Sequence, residues 1–327
     1  MVIVMGTRPP SGARDVARGE HTAAVLETQN RMLEPLPARR RHLETRRGRR
    51  VHVVETGDTE EEGGGAPALF LHGTNTSSLG FVPFLGLLEG VRAIAVDRPG
   101  RGLSDPAPVP RARFREAAVE FLDDVLDALG IDTASIVGQS GGGIWTLWYA
   151  LARPDRVRSL VLLGSVPLLP GTRCPAPLRA MATPGLGAVL SRVAKPTPRT
   201  LVRLLSSVGE GDTIVRYPDL VDALVAGGND PVARTADLAE LRALIQPFGF
   251  RRSMRFSADE LRTITARTLF IWGDRDPVGS TDAARSATEL MPNARLEILP
   301  AGHVPQLGHP ERVADILSTF LGPSGEA

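Results

Sequence analysis

A serine set among close glycines is the feature of this chain that points most directly to chemistry. Residues 138–142 read Gly138-Gln139-Ser140-Gly141-Gly142, the pattern G-x-S-x-G. They follow the apolar run 134–137 and precede a helical stretch at 144–152. A strand, a sharp turn and a helix form the context in which this pattern lifts a serine hydroxyl clear of a sheet. The turn strains the serine backbone, so the residues two positions to either side must be tiny, and Gly138 and Gly142 meet that demand. The hydroxyl would then stand at the positive end of the helix. The chemistry is nucleophilic attack on a carbonyl carbon. A Gly-rich loop with an incidental serine is the plainer alternative, and the flanking strand and helix argue against it.

Serine alone is a weak nucleophile and needs a base that is itself oriented by a third group. The chain has six histidines. His303, in Ala301-Gly302-His303-Val304-Pro305, follows the strand-like run 295–299, where a loop would cross the carboxyl edge of a sheet. His309 opens the last helical pattern and reads as a surface residue. The third group should be a carboxylate at the end of another strand. The run 267–272 ends in Gly273-Asp274-Arg275-Asp276-Pro277, which offers both Asp274 and Asp276. Negative charge developing on the attacked carbonyl oxygen calls for two backbone N–H donors. One is Gly141, directly after the serine. The other is Thr74 in His72-Gly73-Thr74-Asn75, where Gly73 permits a close backbone approach. His72 reads as a structural histidine holding that loop.

These residues need a scaffold, and the apolar pattern supplies one. Runs at 68–71, 92–96, 134–137, 159–163, 267–272 and 295–299 are continuously apolar or β-branched, as expected of strands covered on both faces. Phe114, Ala118, Phe121, Leu122, Val125, Leu126 and Leu129 recur at helical spacing between them, as do Val313, Ile316, Leu317 and Phe320 near the end. Strand–helix alternation of this kind predicts an α/β fold with a mostly parallel, doubly wound sheet. Residues 165–257 break the rhythm. They separate two strands by far more chain than a crossover needs, are rich in proline, and carry short helical patterns at 200–208 and 220–226. They read as a helical cap inserted into a core of residues 38–164 and 258–327. The core alone is expected to hold nucleophile and base. Residues 1–37 form an N-terminal extension with a helix from Arg14 to Leu33. Strands at 41–46 and 50–56 flank the turn Arg47-Gly48-Arg49, and the arginines crowded there read as a solvated hairpin. Gly63-Gly64-Gly65 makes a flexible loop.

Composition narrows the class. The 327 residues are 42% hydrophobic, enough for a real core, so a wholly disordered chain is excluded. Lys plus Arg number 38 against 37 for Asp plus Glu, a net charge of +1, which lacks the basic surplus of a nucleic-acid binder. Cys174 is the only cysteine, so no intrachain disulfide can form, and a reducing cytoplasm fits. Residues 1–5 are apolar but too few for a signal peptide, and no run of about 18 apolar residues predicts a membrane span. Lys195 is the sole lysine beside abundant Arg, Ala, Gly and Pro, a bias of GC-rich bacterial genomes. The sequence leaves the oligomeric state open, a homodimer included.

From Arg39 to Leu321 the chain resembles the α/β-hydrolase-fold family of lipases and esterases, haloperoxidases and C–C hydrolases. The matching blocks are His72-Gly73-Thr74, Asp97-Arg98-Pro99-Gly100-Arg101-Gly102-Leu103-Ser104, the Ser140 turn, Trp272-Gly273-Asp274-Arg275-Asp276, and Pro300-Ala301-Gly302-His303-Val304-Pro305. The resemblance implies that the second acid of its block, Asp276, completes a Ser140, Asp276, His303 triad. It also makes the Asp97 block a structural turn outside the site. Gly164-Ser165-Val166, an alternative location for the acid, has no carboxylate. Two departures stand out. The family often carries G-H-x-P-x-x-E-x-P, and the Glu position here is Gly308. The nucleophile is Ser rather than Asp, which argues against dehalogenase and epoxide hydrolase chemistry. The activity implied is hydrolysis of a carboxylic ester with an apolar part through an acyl-enzyme, without metal or organic cofactor. C–C hydrolysis, thioester hydrolysis, or a non-hydrolytic lyase, cyclase or acyl transfer on the same triad are the alternatives. A ligand-binding protein on a hydrolase fold competes from another class. Arg173, Arg216, Tyr217 and Asn229 are the polar candidates of the cap for contact with a small-molecule substrate, and no motif chooses among them.

Overall fold

The computed structural model describes residues 11–57, 66–193 and 195–322, with side chains from residue 22 onward except 191–193. Residues 1–5 and the Gly63-Gly64-Gly65 loop lie outside the described residues. Eight strands form one sheet: β1 Ala38–Glu44, β2 Arg50–Thr56, β3 Pro67–Leu71, β4 Arg92–Val96, β5 Ala134–Gln139, β6 Val157–Leu163, β7 Arg267–Gly273 and β8 Ala294–Leu299. Their order is β1-β2-β4-β3-β5-β6-β7-β8. The pairs β1–β2 and β2–β4 are antiparallel and the rest parallel. Leu69 and Leu71 pack on one face with Ile94, Ile136 and Trp148, while Phe70 packs on the other with Phe81, Phe84 and Leu317. Burial on both faces explains the unbroken apolar runs. The edge strand β8 departs from this expectation: Arg295 and Glu297 are exposed in alternation, because only β7 flanks it.

Helices cover both faces. α1 is Ser11–Leu33, α2 is Phe114–Leu129 and α3 is Gly141–Ala152. Between β6 and β7 come α4 Ala176–Ala182, α5 Leu186–Val193, α6 Pro198–Ser206, α7 Gly211–Ile214, α8 Pro218–Asn229 and α9 Pro231–Leu244. After β7 come α10 Thr281–Leu290 and α11 Pro310–Leu321. The far end of α1 is tied down: Arg31 Nε donates to Asp219 on α8 at 3.0 Å, and Gln29 Nε2 lies 3.3 Å from His52 Nε2 on β2. The arginine-rich hairpin spends its charge on α2, with Arg47 on Glu120 at 3.0 Å and Arg46 on Asp127 at 3.3 Å. No helix among the described residues is long and apolar enough to cross a membrane.

Candidate active site

Ser140 sits at the junction of β5 and α3 with φ 49° and ψ −113°, a conformation that a residue with a side chain rarely adopts. The close packing that holds this turn needs its glycines. A Cβ on Gly142 would lie 2.0 Å from the Leu71 carbonyl oxygen, and one on Gly138 would lie 2.4 Å from Thr146 Oγ1. The strain is thereby fixed by β3 on one side and α3 on the other. It leaves Ser140 half-buried, above the sheet, at a helix N-terminus.

Two other strand ends meet it. Ser140 Oγ lies 2.8 Å from His303 Nε2, and His303 Nδ1 lies 2.9 Å from Asp276 Oδ2. The Asp276 carboxylate is fully engaged: Oδ2 also accepts the Ser165 N–H at 2.8 Å, and Oδ1 accepts the Val278 N–H at 2.9 Å. Burial pushes the Asp276 carboxyl up, but the imidazole and these N–H donors outweigh it and leave it below its ordinary value. Burial likewise depresses His303, and the Asp276 charge and hydrogen bond, with Glu210 adding to them, bring it above its ordinary value. Asp274, two residues away, points outward with its side chain 46% exposed, so geometry separates the two candidate acids.

Thr74 N lies 3.2 Å from where a Cβ on Gly141 would sit, so the Thr74 loop closes on the residue after Ser140. His72 is buried and bonded twice, with Nδ1 on the Gly73 carbonyl at 2.8 Å and Nε2 accepting the Arg98 N–H at 3.0 Å. Burial holds it well below its ordinary pKa, so it is the neutral loop holder that the sequence suggested.

Several neighbours lacked a sequence signal. Ser165 Oγ stands 3.1 Å from His303 Nδ1, at a position inspected in the sequence only for a carboxylate. Arg98 and Arg101 leave the Asp97 turn to meet Asp237 and Glu240 of α9. Arg98 donates to Glu240 Oε1 and to the Gly73 carbonyl, both at 2.8 Å. Arg101 bonds Asp237 at 2.8 Å and also Glu240 Oε2. Asp237 Oδ1 in turn accepts the Asn75 N–H at 3.2 Å. The turn set aside as structural therefore reaches the Thr74 loop. On the other flank, the His303 N–H donates to the Val208 carbonyl at 2.9 Å and the Val304 N–H to Glu210 Oε1 at 2.8 Å. The loop of His303 is thus also held by residues 208–210, besides its bonds to Ser140 and Asp276.

The polar candidates for substrate contact are otherwise employed. Arg216 donates to the Gly308 carbonyl, Tyr217 to the Leu307 carbonyl, and Asn229 to the Pro196 and Val225 carbonyls. Arg173 is exposed. A cavity of about 1070 Å³ is lined by residues that include Arg101, Phe114, Phe121 and Trp145, and none of Ser140, Asp276 or His303 lines it.

Residues 68–316 match the model of the alpha/beta hydrolase family. The chain belongs to that family. Among its relatives, the 2-hydroxymuconate semialdehyde hydrolase of Pseudomonas putida is 32% identical over 80% of this chain and 89% of its own length. The 2-hydroxy-6-oxononadienedioate/2-hydroxy-6-oxononatrienedioate hydrolase of Paraburkholderia phymatum is 30% identical over 84% of this chain and 91% of its own. In structure, the carboxylesterase CesB of Bacillus subtilis aligns over 92% of this chain and 98% of its own with a TM-score of 0.72 at 24% identity. At that identity the likeness speaks for the fold. As a family member, the chain is an alpha/beta hydrolase with the family's mostly parallel central sheet.

Proposed function

We propose that Ser140 is the nucleophile, His303 the base, Asp276 its orienting acid, and the Thr74 and Gly141 amides the oxyanion donors. The observation that carries this reading is the relay from Ser140 through His303 to Asp276 at 2.8 and 2.9 Å. Ser140 Oγ adds to a carbonyl carbon while its proton passes to His303 Nε2. Asp276 keeps the remaining imidazole proton on Nδ1 and supports the imidazolium.

The bond then broken is proposed to be C–C. Relatives at 30–32% identity are named as hydrolases of 2-hydroxy-6-oxo-dienedioates and of a muconate semialdehyde, and this moves the reading from ester cleavage to its alternative. A carbon leaving group needs its electron pair stabilised, so the substrate should carry a second carbonyl, or its enol, in conjugation with that carbon. As the tetrahedral adduct collapses, the pair passes to that carbon as an enolate, and His303 Nε2 returns the proton there. Water, deprotonated by the same His303, then attacks the acyl carbon. The acid leaves and Ser140 regains its proton. The chain needs no metal or organic cofactor for any of these steps. Residues 165–257 are proposed to act as the cap, with the small-molecule substrate held between it and the sheet edge.

The test offers a 2-hydroxy-6-oxo-dienoic acid, followed by loss of its dienol absorbance, beside a series of p-nitrophenyl esters. A higher kcat/KM for the C–C substrate, abolished by Ser140→Ala, is expected. Turnover of esters alone would return the assignment to ester hydrolysis.

A further inference from the structure

The loop that carries His303 is gripped by the turn between α6 and α7. Gly209, with φ +83°, brings that turn against Gly302: a Cβ on Gly209 would lie 2.9 Å from Gly302 Cα. A Cβ on Gly302 would in turn lie 2.4 Å from the Val208 carbonyl and 2.8 Å from Glu210 Oε1. Glycine at both positions lets two backbones touch, and the contact is locked by the Val208 and Glu210 hydrogen bonds on either side of the histidine. Glu210 is 1% exposed. Oε1 takes the Val304 N–H at 2.8 Å, whereas Oε2 has no hydrogen bond of ordinary length, the Thr213 hydroxyl and the Gly302 amide standing only near the carboxyl. Oε2 faces Gly308, whose Cβ would lie 4.0 Å from it in ordinary contact. A buried half-satisfied carboxyl is costly unless something compensates for it. A neutral acceptor such as glutamine could bond Val304 N–H equally well, so the hydrogen bond alone does not explain a carboxylate here.

We infer that Glu210 is a positioning residue for His303, supplied by the helical segment in the space that Gly308 leaves open. It fixes the loop through the Val304 amide, and its charge favours the imidazolium that forms when Ser140 gives up its proton. The inference rests on the Ser140–His303–Asp276 reading. Burial raises the Glu210 carboxyl above its ordinary value, and the Val304 and Gly302 amides, the Thr213 hydroxyl and His303 counter it. The other charged groups around this contact are Asp276 on the core side, Arg216 on the Gly308 carbonyl and Arg275, whose carbonyl lies near Gly209.

The experiment uses the full chain, an activated ester or the C–C substrate, and a fluorophosphonate probe. Glu210→Ala should lower kcat about 10–100-fold with KM nearly unchanged, because a displaced base misaligns a bound substrate. Glu210→Gln keeps the acceptor and drops the charge, so it should shift the acid limb of kcat/KM to lower pH. Gly308→Glu in the Glu210→Ala background returns a carboxylate to the vacated space and should recover most of kcat and the original acid limb. The inference is overturned if Glu210→Ala lowers only the melting temperature while kcat and pH profile stay as in the parent. Failure of a folded Gly308→Glu double variant to recover activity overturns it too. Probe labelling that persists in Ser140→Ala would defeat the underlying triad reading instead, and the two failures are distinct.

Discussion

The loop of residues 72–75 and the loop of His303 are both held by the helical segment between β6 and β7, through opposite electrostatics. At the first loop four charges close on one another. Arg98, Arg101, Asp237 and Glu240 are 0, 4, 7 and 0% exposed, and Glu240 is bonded through both oxygens. Burial would raise the Glu240 carboxyl, yet the two guanidiniums hold it below its ordinary value. At the second loop a single carboxyl, Glu210, accepts the Val304 amide through Oε1. A closed buried network adds little net stability against apolar packing but fixes one arrangement. The proposed oxyanion donors must stay still while charge develops on the substrate, and such a network suits them. In the proposed cycle the histidine gains and loses a proton, and a carboxylate beside it favours its charged form.

The largest expected effect tests whether the base side has one essential acid. Asp276→Asn should lower kcat by about four orders of magnitude, since an asparagine amide favours the wrong imidazole tautomer. Asp274→Asn should change kcat little, because its side chain is outside the relay. Similar losses in both variants, by steady-state kinetics, would make Asp276 no more than a structural anchor.

Next in size is the oxyanion side. Glu240→Ala strands Arg98 and Arg101 in a buried place, at a cost of about 3–5 kcal/mol. It also frees the Gly73 carbonyl contact that positions Thr74 N–H, and loss of one such donor lowers kcat about 10²–10³-fold. Asp237→Asn should be milder, because asparagine still offers an oxygen to the Asn75 amide. Melting curves and kcat should fall together in Glu240→Ala, in contrast with Glu210→Ala, where kcat should fall further than stability. The same pattern in both would erase the contrast between the loops.

The sequence made the sheet and the Ser140 turn legible for a physical reason: strands buried on both faces print unbroken apolar runs, and the turn tolerates only glycine at Gly138 and Gly142. Asp276 was separable from Asp274 only by family resemblance, since both stand at the end of β7. Asp237 and Glu240 carry no motif, because what turns them inward is a pair of arginines some 140 residues away along the chain. Glu210 and Ser165 carry no motif, and their roles exist only once β6, β7 and the turn before α7 are brought together. Charged residues that act through tertiary contacts leave no periodic trace.

The smallest effect is a displacement on the pH axis, and it separates the two sides most cleanly. His303 is above its ordinary 6.5 in the folded chain, with Asp276 the chief cause against burial. The proposed base must be neutral to take the Ser140 proton, so kcat/KM should fall as pH drops through the raised pKa of His303. Stability has the reverse sign. A raised pKa means the folded state prefers the imidazolium, so this contribution is complete below the unfolded value and is lost as pH rises through the folded one. Asp276, held low, contributes above its unfolded value and loses that contribution as pH falls through its folded one. The base side should therefore be most stable between these limits, at a pH where it is not yet fully active. Melting temperatures of the parent and of His303→Ala, taken across the acid limb, should converge as pH rises through it. The difference between the parent and Glu240→Gln should stay flat over the same interval, because Glu240 is held ionised well below it. A Glu240→Gln difference that tracks the acid limb would couple the oxyanion side to the histidine and end the division of labour.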